Sequence, residues 1–244
     1  MGTKSRYLLS ILAGAAALAA GPAPALADPV LVELFTSQGC SSCPPADQFL
    51  GELAQREDII ALAYHVDYWD YIGWRDKFAR PEHTARQKGY RDALDLRTLY
   101  TPQMVVDGRY DVVGSQRAAV ESLIESAASQ QKLPIAIAAS GGKYRVTAPP
   151  MEIDQANPAS LWLVIYARRS ETEVSRGENA GSTLVEYNIV RELRRLGDWT
   201  GNAIDLLLDV DVADKNMGCA VILQVDGNGP ILGVAAAPAP GQGS

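Results

Sequence analysis

Apolar and polar positions follow two different regimes along this chain. Between about residues 28 and 131, continuous apolar runs alternate with segments of helical period. Val30–Thr36 is apolar apart from Glu33 and Thr36, the pattern of a strand buried on both faces. Ala46–Arg56 sets Phe49, Leu50 and Leu53 on one side of a helix. Asp58–Val66 reads as a second buried strand of a parallel sheet, followed by an aromatic, polar loop, Asp67–Trp74. Arg75–Leu99 is charged and reads as mostly helical. Tyr100–Gly108 leads through Asp107-Gly108, a hairpin dipeptide, into Arg109–Gly114. Ser115 caps a last helix, Gln116–Gln130, with Ala119, Leu123, Ile124 and Ala127 facing inward.

From about Leu133 the regime changes. Pro and Gly become frequent, and short β-rich runs replace helical spacing: Ile135–Ala139, Tyr144–Thr147, Leu161–Arg168, Thr183–Arg191, Ala203–Leu208, Ala220–Val225 and Ile231–Ala235. The pattern predicts a small antiparallel β domain of sandwich type over 132–237. Val185–Leu196 fits two periods, since Val185, Ile189, Leu193 and Leu196 also mark a helical face. β-branched and aromatic residues favour a strand for its first half. The Pro- and Gly-rich end, 238–244, reads as a disordered tail.

The N-terminus carries Lys4 and Arg6, an apolar stretch Leu8–Ala20, and a small-x-small site at Ala25-Leu26-Ala27. This is the pattern of a secretory signal peptide over residues 1–27, with a mature chain from Asp28 that is periplasmic or secreted. Nothing later is long and apolar enough to span a membrane. Without Lys4 and Arg6, the only charged residues in that segment, the formal charge moves from −7 to −9. An acidic chain without a basic patch excludes nucleic acid as a partner.

Cys40-Ser41-Ser42-Cys43 carries the clearest chemistry. It follows a strand and precedes a helix, so the first thiol sits near free N–H groups and the positive end of a helix dipole, which favour a thiolate. Cys40 is expected to be the more exposed, attacking sulfur and Cys43 the resolving one, with both serines able to donate to the Cys40 thiolate. Three cysteines are no disulfide scaffold. A loop this short constrains little unfolded chain, so stabilisation is a poor reason for the pair. With Cys40 as N-cap, Pro44 and Pro45 fall at the fourth and fifth helical positions, where the second should distort the first turn.

His65 and Asp67 lie at the carboxyl end of the second strand, the side on which open α/β sheets place their sites. They read either as a substrate rim that moves a proton or as satisfied polar groups of a packed loop. Trp69 and Trp74 read as packing residues. Cys40, Cys43 and His65 could instead hold copper or zinc, although their spacing matches no closed four-ligand site. His83, in a charged segment, reads as solvated. Cys219 lies in an apolar strand and reads as a buried, inert thiol. Glu178 and Asn179 read as turn residues, and Arg191, Arg194 and Arg195 as a solvated face.

The order strand, helix, strand, helix, Pro-led hairpin, helix resembles the thioredoxin fold over residues 29–130, on the strength of Cys40-Ser41-Ser42-Cys43 and Thr101-Pro102. The resemblance implies a cis bond before Pro102, packed against the cysteines, with the Thr101 backbone offered to an extended substrate. Phe35–Ala46, His65–Asp70 and Gly177-Glu178-Asn179-Ala180-Gly181 further resemble a family of secreted bacterial thioredoxin-like proteins with no assigned function, a domain of unknown function. The expected fold class is therefore α/β: a thioredoxin-like domain over 28–131 followed by the β-rich domain. The expected activity is thiol-disulfide exchange with exported proteins bearing thiols or disulfides, with Thr101, Pro102, His65 and Asp67 meeting the substrate and no organic cofactor or metal required. A periplasmic metal carrier and a non-enzymatic binding module are the alternatives.

Overall fold

The structure, a computed structural model, describes residues 28–140, 143–154, 156–210 and 214–237. The signal peptide and the tail read from the sequence lie outside the described residues. The elements in chain order are β1 (Val30–Thr36), α1 (Pro44–Leu53), β2 (Ile59–His65), α2 (Pro81–Ala93), β3 (Gln103–Val106), β4 (Tyr110–Val113), α3 (Arg117–Ala128), β5 (Ala136–Ser140), β6 (Lys143–Ala148), β7 (Ala159–Glu173), β8 (Thr183–Trp199), β9 (Ile204–Leu208), β10 (Met217–Val225) and β11 (Ile231–Ala236). A single 3-10 turn, Asp70–Ile72, interrupts the aromatic loop.

Eight strands form one mixed sheet in the order β11-β10-β7-β8-β2-β1-β3-β4, and β5-β6-β9 form a second, smaller sheet. Within the large sheet β1 and β2 are parallel along their whole length, and β2 and β8 meet in parallel at Ala63 and Ile189. The remaining pairs are antiparallel. Strands from both sides of residue 132 thus share one sheet. Asn188, with φ 45°, secures the join by donating from its side chain to the Ala61 carbonyl at 2.9 Å.

Alternation within the strands fixes the layers. On one face Val32, Leu34, Ala61 and Met104 pack beneath α1 and α3. Farther along the sheet, Leu163, Ile165, Cys219 and Val221 of β7 and β10 are covered by Val146, Ile204 and Leu208 of the small sheet. On the opposite face Leu31, Phe35, Leu62, Tyr64, Val164 and Ile222 pack against each other and against Tyr90 of α2. In place of the separate sandwich domain expected over 132–237, the small sheet packs on one wing of a large sheet that both halves of the chain build.

Several predicted elements differ in extent: β7 extends beyond Leu161–Arg168 at both ends, and α3 begins at Arg117 with Gln116, not Ser115, as its N-cap. Helical structure within Arg75–Leu99 is confined to Pro81–Ala93. Pro81 occupies a first-turn position, where its missing N–H leaves no bond unmade. Asp95, at φ 53°, marks the exit. The ambiguous Val185–Leu196 is strand throughout, because β8 runs from Thr183 to Trp199 beside β7.

Glu33, the acid in the apolar run of β1, is fully buried. Arg86 forks onto it at 2.7 and 3.0 Å, Tyr90 donates its hydroxyl to the same carboxylate, and Arg86 also donates to Gln224 of β10 at 3.0 Å. Arg86 and Tyr90 are one helical turn apart on α2, so one helix face serves both. Removing one partner of a buried ion pair leaves an uncompensated charge. Arg86→Met is expected to cost about 3 kcal/mol or more of unfolding free energy. Urea denaturation measures this, and a loss near zero would mean Glu33 needs no counter-ion.

Candidate functional site

β1 and β2 end side by side, Thr36 opposite His65, and both chains leave the sheet at the same edge. β3 runs the other way along β1, with Gln103 opposite Phe35, so Thr101 and Pro102 arrive at that edge too. The register alone therefore collects the cysteine loop, the His65–Trp74 loop and the Pro102 segment. The Thr101–Pro102 bond is cis.

Cys40 and Cys43 are joined in a disulfide with a Cα–Cα separation of 5.5 Å. Cys43 is the N-cap of α1, so Pro44 and Pro45 occupy the first two helical positions. Helix N–H groups there have no partner in any case, and the distortion expected from Pro45 does not arise. Ala46 and Asp47 supply the first intrahelical bonds, both to the Cys43 carbonyl, at 2.9 and 3.1 Å. Cys40 is not the exposed member of the pair. It is 1% exposed and Cys43 0%, whereas Ser41 and Ser42 face solvent. Of the two serines, Ser42 reaches the Cys40 sulfur, Oγ to Sγ 3.3 Å.

Trp69 links the cysteine loop to the Pro102 segment. Its indole N–H donates to Thr101 Oγ1 at 2.8 Å, and its Cβ lies against Gly39, where an added methyl would sit 3.2 Å away. Trp74 donates to Gln38 Oε1 at 3.0 Å, so both tryptophans pack as expected and each also closes a hydrogen bond.

A buried polar cluster lies beneath. The Gln38 N–H donates to Asp76 Oδ2 at 2.9 Å, and the Gln38 amide donates to Glu186 at 2.9 and 3.0 Å and to Thr172 at 3.1 Å. His65 Nδ1 lies 2.7 Å from Asp76 Oδ2; its Nε2 makes no hydrogen bond and lies 3.8 Å from Glu186 Oε1. Burial by itself would push the His65 imidazolium down. The Asp76 carboxylate and its hydrogen bond, then Glu186 and Asp47, outweigh it and raise His65 to about 9. Burial dominates at Asp47, pushing its carboxyl up to about 7 against the pull of His65. Burial likewise raises Glu186, whereas His65 holds Asp76 below its usual range despite burial.

Other predicted residues fall elsewhere. Asp67 turns toward α2, accepting from Thr84 Oγ1 at 2.6 Å. His83 is not solvated: it is 1% exposed, donates from Nδ1 to the His65 carbonyl at 3.0 Å, and burial drives it down to about 4. Its segment is charged, but it occupies the inward face of α2. Cys219 is buried and its thiol is pushed up to about 11 by desolvation. Among the described residues no set of three or more His, Cys, Asp or Glu side chains is arranged to hold a metal ion. Glu178 and Asn179 do more than turn the chain. Glu178 accepts the Ser41 N–H at 3.2 Å, and Asn179 donates to the carbonyls of Gln38 and Cys40 at 2.9 and 3.0 Å.

Residues 31–224 match the family model DUF1223, described as a protein of unknown function. The chain belongs to this family. A solved relative, protein AGR_C_4864 from Agrobacterium tumefaciens, shares 30% identity at a TM-score of 0.74, covering 85% of this chain and 92% of its own. HBP35 of Porphyromonas gingivalis shares the fold at a TM-score of 0.57 with 10% identity, over 87% of this chain and 75% of its own. No curated protein matches.

The charge arrangement has a pH signature. Between about pH 4 and 7 the folded chain keeps the Asp47 proton that the unfolded chain gives up, so this group removes stability as pH rises through that window. His65 acts in the same direction: its contribution is complete below about pH 6.5 and is lost as pH rises to about 9. Asp47→Asn therefore gains on the wild type at pH 8 relative to pH 5, by roughly 5–10 °C in thermal midpoint. Equal differences at the two pH values would show that Asp47 ionises as freely folded as unfolded.

Proposed function

We propose that this chain is an exported thiol-disulfide oxidoreductase with a thioredoxin-like core. The observation that carries the reading is the meeting of the Cys40–Cys43 pair with the cis Thr101–Pro102 segment at the one sheet edge. The element order β1-α1-β2-α2-β3-β4-α3 and the neighbours β2-β1-β3-β4 support the core assignment. The N-terminal sequence supports export to an oxidising compartment.

In the oxidised state a substrate thiolate attacks the Cys40 sulfur. The Cys40–Cys43 bond breaks with its electron pair leaving on Cys43, and a mixed disulfide through Cys40 forms. A second substrate thiolate then displaces Cys40, leaving the substrate oxidised and the pair reduced. Run backwards, the Cys40 thiolate reduces a substrate disulfide. Ser42 is placed to donate to that thiolate, and the N-terminal end of α1 favours it. Thr101 offers its backbone to an extended substrate. His65 and Asp67 have a smaller part here than the sequence alone suggests. His65 is buried in an ion pair and Asp67 is engaged with α2, so both support the rim from below.

Cys43→Ala removes the resolving thiol and stalls the exchange at its intermediate. Expressed in a bacterial periplasm, this variant is expected to accumulate reductant-sensitive adducts at Cys40, visible as slow bands on non-reducing gels. The double variant Cys40→Ser/Cys43→Ala should show none. Absence of adducts from Cys43→Ala in its folded form would refute the oxidoreductase reading.

A further inference from the structure

Cys40 and Cys43 are both buried, and a distant loop is bonded to the backbone that carries them. Between Glu173 and Thr183, the last paired residues of the β7–β8 hairpin, the chain forms a loop that reaches across to the cysteines. Its base is shut by two backbone bonds, Val174 N–H to the Ser182 carbonyl at 2.9 Å and Gly181 N–H to the Val174 carbonyl at 2.8 Å. Within Val174–Ser182 only Val174 and Asn179 are buried; Asn179 is 8% exposed. A buried amide in an exposed loop needs partners. Asn179 finds them in the Gln38 and Cys40 carbonyls, so it pins the backbone on both sides of Gly39. Beside it, the Glu178 carboxylate takes the Ser41 N–H.

The loop is also built to turn at two points. Gly177 has φ 80° and sits where a Cβ would lie 3.1 Å from that of Trp74. Gly181 has φ 83° with nothing within 4 Å of that position, so glycine serves the backbone there and not the packing. Glu178-Asn179-Ala180 lies between these turns. We propose that this segment is a cover over the disulfide, and that Asn179 is the positioning residue that holds it shut and so selects against partners unable to displace it. Selection acts on the first step, because a thiolate must reach the Cys40 sulfur while Cys43 leaves, and Cys40 is 1% exposed with the cover in place. Glu178 adds a carboxylate at the backbone of Ser41, the residue after Cys40, which disfavours an approaching thiolate. The inference concerns access to the site under the oxidoreductase reading, but its test requires only that the disulfide can be reduced.

Dithiothreitol supplies the probe. One of its thiolates attacks Cys40 Sγ and expels Cys43; its second sulfur displaces Cys40, giving oxidised dithiothreitol and two protein thiols that alkylation marks by mass. A net hydrogen bond shifts an opening equilibrium by roughly threefold to tenfold, so losing both Asn179 bonds predicts a second-order rate constant at least about tenfold higher in Asn179→Ala. Asn188→Gly serves as a control. It removes a side chain-to-backbone bond of the same hairpin away from the cysteines and keeps a residue that tolerates positive φ. Its rate should match that of the wild type. In guanidinium-unfolded protein all three chains should react alike. Asn179→Ala within threefold of the wild type, or Asn188→Gly accelerating as much as Asn179→Ala, overturns the cover. Periplasmic adducts of Cys43→Ala report on the oxidoreductase reading separately, so either idea can fail alone.

Discussion

Gln38 holds the cysteine loop in place, and the site depends on how completely that one residue is engaged. Its backbone N–H is bound by Asp76, its carbonyl by Asn179, its side-chain oxygen by Trp74 and its side-chain nitrogen by Glu186 and Thr172. These partners come from the loop after β2 and from the β7–β8 hairpin, two regions far apart in sequence. Buried polar networks of this kind are costly when half satisfied and rigidifying when complete. The loop that carries the disulfide thus takes its shape from the β-rich half of the chain as much as from the strand and helix that flank it.

The charges beneath the loop follow from the same burial. Asp47, Asp76 and Glu186 surround the His65 imidazole, and desolvation resists a negative charge on each. Asp76 is the one held ionised, because it touches the ring directly. Asp47 and Glu186 are pushed the other way. A cluster poised in this manner combines a cationic imidazole with a carboxyl that titrates near neutrality, one helical turn beyond Cys43. Structural ion pairs also perturb titration, so the placement of the sulfurs, and not the shifts, carries the functional reading.

Much of this was legible in the sequence. The apolar runs of β1 and β2, the Asp-Gly turn and the Cys-x-x-Cys motif locate the first strands, the hairpin and the disulfide from local pattern alone. What escaped was long-range. The period of Val185–Leu196 is ambiguous, and only pairing with β7 decides it. Glu33 and Glu186 each interrupt an apolar strand, a signal of a buried, partnered acid, but their partners Arg86 and Gln38 lie 53 and 148 residues away. His83 was misleading because a charged segment still has an inward face. Pro44 and Pro45 were misplaced by one turn because the N-cap is Cys43 and not Cys40.

A disulfide that cycles differs from one that only fastens a turn in its reduction potential. Equilibrating the purified chain from Asp28 onward in glutathione redox buffers measures this directly for Cys40/Cys43. A Cys40/Cys43 pair that cycles should show a potential above about −270 mV, in the range of pairs that exchange with protein partners. A value below about −300 mV, characteristic of structural disulfides, would contradict it.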